Sequence, residues 1–92
     1  MDDKPSVTRV KVNIHGVEYT LRGAVPAQHL QAVADMVDKM MSEIAATSSY
    51  MDERRVAVLT AINLADEFLR LREEYTDLVS LLDEQTRGDK TP

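Results

Sequence analysis

Residues 52–85 read DERRVAVLTAINLADEFLRLREEYTDLVSLLDEQ, a stretch without glycine or proline. Steps of four and three from Ala57 land on Ala61, Leu64, Phe68, Leu71, Tyr75, Leu78 and Leu82, and no step meets a charge. That spacing predicts one long helix with an apolar seam facing a partner helix. In heptad terms Ala61, Phe68, Tyr75 and Leu82 take position a, and Ala57, Leu64, Leu71 and Leu78 take position d. A second row, Val58, Ile62, Ala65 and Leu69, widens the stripe in the first half, so this part is expected to lie against a globular core as well as a partner. Farther on the same row reads Arg72, Thr76, Val79 and Asp83, and only the narrow seam continues. At 1.5 Å per residue the helix would be about 50 Å long, more than a compact fold of this chain length spans. Its far end is expected to need burial from outside the monomer.

The chain before this helix reads as a small head. Val10, Val12 and Ile14 alternate with Arg9, Lys11 and Asn13, and Val17, Tyr19 and Leu21 alternate with Glu18 and Thr20. Between the runs, His15-Gly16 predicts a two-residue hairpin turn in which Gly16 takes the positive φ. An isolated hairpin is marginal in water, so its apolar face must rest on a helix or its edge must pair with another copy. Gly23 ends the second strand, and Pro26 suits the first turn of a helix. In that helix Leu30, Val33, Val37, Met40 and Ile44, with Ala34 and Met41, form the expected buried row. Gln31, Asp35, Asp38, Lys39 and Ser42 are expected to face water. Thr47-Ser48-Ser49 breaks the pattern, and Asp52 is placed to cap the long helix. The fold class is therefore α+β. The expected organisation is a flexible tail over 1–6, a head over 7–50, a coiled-coil stalk over 51–86 and a second flexible tail over 87–92.

Composition narrows the function classes. With 92 residues there is room for one small core, which favours self-association. Lys plus Arg number 11 against 16 Asp plus Glu, so the chain lacks the basic field that nucleic acid or an anionic membrane selects. There is no cysteine, which removes disulfide and thiolate chemistry. No run of about 18 apolar residues occurs and the first residues lack a signal-peptide core, so a cytoplasmic protein is expected.

Catalytic and metal roles find little footing. His15 falls at the hairpin tip and His29 in a first helical turn, and neither has a second ligand at helical spacing. No phosphate loop, serine elbow or Cys-His pair appears, so no catalytic residue, cofactor or metal is expected. Met36, Met40, Met41 and Met51 could mark an adaptable binding groove, but Met40 and Met41 fall on the apolar row and read as core filling. Arg9, Lys11 and Arg22 belong to the hairpin's polar face or its exit, and Arg54 and Arg55 open the long helix. They serve either solubility or the docking of an acidic partner.

The hairpin from Val10 to Leu21, the helix row from Leu30 to Ile44 and, most specifically, Ala57-Val58-Leu59-Thr60-Ala61-Ile62-Asn63-Leu64-Ala65-Asp66-Glu67-Phe68 resemble the ZapA family of bacterial cell-division proteins. The resemblance covers about Arg9 to Leu82. It implies a non-enzymatic adaptor that binds FtsZ, a tubulin-like GTPase, bundles its protofilaments and promotes ring assembly at midcell. It also implies homodimers that can join through their coiled coils into tetramers. Head charges contact FtsZ in the family, which makes Arg22, Lys39, Glu43, Arg54 and Arg55 the candidates here. The sequence departs from the family with Val17 after the turn glycine, where a basic residue is usual, and with an uncharged Thr47–Ser49 loop. The other reading is an oligomeric coiled-coil regulator of a different cytoplasmic protein. For the stalk, Glu67 at g and Arg72 at e favour a parallel pair of helices, in which the two would meet across chains.

Overall fold

The computed structural model describes residues 7–89, with side chains described to Gln85. The expected tail over 1–6 lies outside the described residues. Alternating residues form β1 (Thr8–Ile14) and β2 (Val17–Gly23), paired antiparallel with Ile14 opposite Val17 and Thr8 opposite Gly23. Both turn residues have positive φ, His15 at 51° and Gly16 at 83°. This is the mirror-image turn whose twist matches that of the strands. Gly16 is at home in this region, but a histidine there carries strain and has to be held.

Two contacts hold it. The backbone N–H of His15 donates to Asp38 Oδ1 at 2.6 Å, and its ring Nδ1–H donates to Glu53 Oε2 at 2.6 Å. Two expectations change as a result. Asp38 does not simply face water, because its carboxylate is half-buried against the turn. His15 has two partners, the carboxylates of Asp38 and Glu53, supplied by residues far away in sequence.

α1 (Ala27–Ala45) begins with Pro26 at its N-cap, where the carbonyl of Pro26 accepts from the N–H groups of His29 and Leu30. α1 packs chiefly on β1. Its buried residues are Leu30, Ala34 and Met41, flanked by half-buried Val37, Met40 and Ile44. Val33, expected in the buried row, is instead exposed. Ala34, its neighbour, is fully buried, so the buried face of the helix runs through Leu30, Ala34 and Met41 and leaves Val33 to one side. The apolar face of the hairpin is covered over β1 but only in part over β2, where Val17 and Tyr19 remain exposed.

α2 spans Glu53–Asp89. Asp52 caps it as expected, accepting the N–H of Arg55 on Oδ1 at 2.9 Å, while its backbone carbonyl accepts the first helical bond from Val56. The helix runs past Gln85, so residues 87–89 are helical and not part of a tail; a single Gly88 costs a helix only about 1 kcal/mol and does not stop it. Residues 90–92 lie outside the described residues.

Two compact units divide the chain, the first ending at Thr60 and the second beginning at Ala61. The first unit therefore takes in the opening turns of α2 and does not stop at Tyr50. Its core is Val12, Leu30, Ala34, Met41 and Val56, with Thr60 buried beside them. Thr60 is tolerated there because its hydroxyl donates to the Val56 carbonyl at 2.8 Å. Among the described residues Val56 is the largest side chain that is fully buried, which is a small core even for a small domain.

The face of α2 that enters this core differs from the expected one. Val56 and Thr60 are buried and Leu59 is half-buried, whereas Val58, Ile62, Ala65 and Leu69 face solvent. The second unit is helical and has its own local contacts, an ion pair between Arg70 and Asp66 at 3.1 Å among them. That pair is exposed and one turn apart, an arrangement worth a few tenths of a kcal/mol.

Candidate interaction surfaces

On a 3.6-residue helix the heptad seam winds slowly but stays on one side, so its residues share a stripe. Phe68, Leu71, Tyr75, Leu78 and Leu82 are 55–70% exposed on that stripe. Ala57 and Ala61 are exposed too, and Leu64 is half-buried. Val58, Ile62 and Leu69 add exposed apolar area along its flank. A run of large aliphatic and aromatic side chains in water is the usual mark of a protein interface. Phe68, Leu71, Arg72, Tyr75 and Thr76 line a shallow hollow on the helix, the kind of hole that receives a knob from a facing helix. Arg72 lies over the Phe68 ring at 5.6 Å, a cation–π contact that keeps the guanidinium at the edge of the seam.

The five candidate charges do not form one site. Lys39 and Glu43 share a depression on α1 with Asp35, Met36 and Met40. Arg54 and Arg55 share another with Tyr50, Asp52, Val58 and Leu59. Arg22 belongs to neither; it lies on β2 directly opposite Arg9. All five are exposed. The methionines divide as well. Met41 is buried and Met40 half-buried as core filling requires, but Met36 is exposed at the rim of the α1 depression.

Sequence reasoning overlooked Tyr50, which is 95% exposed beside the two arginines. The signal was available. An aromatic at the end of a polar loop, just before a helix cap, has no periodic neighbour to bury it.

Catalytic chemistry has little to build on. His15 meets two carboxylates, but Asp38 is engaged by the backbone N–H and Glu53 by the ring. Among the described residues no group of three or more His, Asp or Glu is placed to hold a metal ion. No described helix is long and apolar enough to cross a membrane.

Comparison with known proteins places these features. The family profile described as Cell division protein ZapA matches residues 10–88. The Cell division protein ZapA of Geobacillus thermodenitrificans is 40% identical over 89 residues, covering 97% of either chain. That of Geobacillus kaustophilus is 41% identical over 83 residues, covering 90% of this chain and 91% of its own. A solved structure described as a ZapA mutant dimer from Geobacillus stearothermophilus superposes with a TM-score of 0.72 at 38% identity. It covers 90% of this chain and 96% of the solved one.

Proposed function

The chain belongs to the ZapA family of cell-division proteins, and from that premise we propose that it is a non-enzymatic adaptor that binds FtsZ and gathers its protofilaments into bundles, promoting ring assembly at midcell. The observation that carries this reading is the solvent-facing apolar seam of α2, together with the similarity to a family dimer. A helix of this kind joins copies of the chain, and joined copies present more than one head. Once one head is on a filament, the next meets a neighbouring filament at high effective concentration, so each contact can remain weak and reversible. The mechanism is geometric. It needs no cofactor, metal or chemical step.

Within the dimer the proposed pairing is parallel, with heads together. Glu67 at g then approaches Arg72 at e of the other chain, whereas an antiparallel pair sets Glu67 and Glu74 near their own kind. One exposed pair contributes only about 0.2 to 1 kcal/mol. Gln85, at the d position that follows Leu82 in the same heptad series, gives a direct test. Gln85→Cys, oxidised in dilute solution, should form a disulfide between chains of one dimer. Its failure to do so, with the protein still dimeric, would reject parallel pairing.

Cosedimentation with polymerised FtsZ tests the function itself. The protein should pellet with the polymer in the presence of GTP and remain in the supernatant without it. If the protein stays in solution beside sedimenting FtsZ, the second reading takes over, a coiled-coil regulator of another protein.

A further inference from the structure

The hairpin has a second face, and its composition is unlike that of the rest of the chain. The register puts Arg9 opposite Arg22, Lys11 opposite Thr20 and Asn13 opposite Glu18, all exposed on the side away from Val12. Directly opposed residues have Cβ atoms about 4.5–5.5 Å apart, and like charges at that distance destabilise the sheet. Lys11 lies one alternate position along from Arg9, so three cations share the end of this face nearest Thr8 and Gly23. Among the described residues of the two strands the one acid on this face is Glu18, opposite Asn13 and one alternate position from the Lys11–Thr20 pair. Among the described residues none makes an ion pair with Arg9, Lys11 or Arg22. In a chain of net charge −5, three cations against one acid on the same face are a local reversal of the molecule's charge balance.

From this juxtaposition we infer that the outer face of the hairpin, centred on Arg9, Lys11 and Arg22, is a docking surface for an acidic, extended segment of a partner protein. The cations at alternate positions of β1 repeat at about 6.5–7 Å, the spacing at which alternate side chains of another extended chain recur. Nucleic acid fits the face less well. It has no aromatic residue on which a base could stack, because Tyr19 points to the opposite side with Val12. An anionic membrane fits less well too, since the face has no apolar residue to insert. The inference concerns the chemistry of the bound segment and stands whether or not FtsZ supplies it.

The test uses the full-length protein and a fluorescein-labelled decaglutamate peptide, read by anisotropy. Arg9→Thr with Arg22→Thr removes the opposed pair and leaves two residues suited to strands. The wild type should bind the peptide with an affinity that falls as salt is raised, and the double variant should bind at least about ten-fold more weakly. Its thermal midpoint should be unchanged or higher, because a repulsive pair is gone. The double variant Arg54→Thr with Arg55→Thr, which changes the net charge equally, should keep wild-type affinity. The inference is overturned if the wild type does not bind the peptide, or if removing Arg9 and Arg22 leaves binding intact. Equal losses in the two double variants would mean generic charge attraction and overturn it as well. So would tighter binding to duplex DNA or to phosphatidylserine vesicles than to the peptide.

Discussion

Leu71→Glu should convert the protein into a monomer that no longer bundles filaments. Leu71 is 65% exposed in the single chain and occupies a d position at the centre of the seam, in the hollow with Phe68 and Tyr75. In a dimer each copy would bring one carboxylate to a site built for two leucines. Burying an unpaired charge costs several kcal/mol even after relaxation, and the substitution also removes a well-packed side chain. Light scattering should therefore give the mass of a single chain at concentrations where the wild type is larger. A second readout follows from mass action. If association stabilises the fold, the melting temperature of the wild type rises with protein concentration and that of Leu71→Glu does not. Unchanged mass in the variant would reject the heptad assignment.

The second large effect is expected in the head. Val56 is 1% exposed and, among the described residues, is the largest side chain fully buried in a core of five apolar residues, so little else can compensate for its loss. Val56→Ala removes about two methylene equivalents and leaves a cavity, a cost of roughly 2 kcal/mol. Val56→Asp adds an unpaired buried carboxylate, which a core this small is not expected to survive. Circular dichroism melts should show a lowered but cooperative transition for the alanine variant. The aspartate variant should lose that cooperative transition, because only local helical contacts remain in the second unit. A wild-type melt for Val56→Asp would mean that this face of α2 is not part of the core.

What the sequence made legible follows from which interactions are periodic. The hairpin could be read because Val10 to Leu21 alternates around a His-Gly turn, and the seam could be read because eight residues repeat at heptad spacing over a stretch free of glycine and proline. Asp52 as a cap is likewise a local signal, confirmed by its bond to the Arg55 N–H. Tertiary choices were not legible in the same way. Val56 and Thr60 entered the core ahead of Val58 and Ile62, and Thr60 gave no hint of this because a threonine is polar by type until its hydroxyl finds a backbone carbonyl one turn back. Ala34, not Val33, took the buried position, though valine is the more apolar of the two by type. The clamp on His15 joins residues 23 and 38 positions apart, a distance over which no pattern in one sequence speaks. Of the candidate surfaces, the seam was visible as a stripe. The opposed Arg9 and Arg22 needed the strand register, and Tyr50 needed its exposure, before either could be weighed.

The central claim is that filaments are gathered because the chain is joined through α2 and each head binds on its own. It is tested most directly by electron microscopy of FtsZ polymers with wild-type protein and with Leu71→Glu, compared at equal amounts of protein cosedimented. The account predicts bundles with the wild type and single, decorated protofilaments with the variant. Bundles of equal abundance and thickness with a variant shown to be monomeric would contradict it.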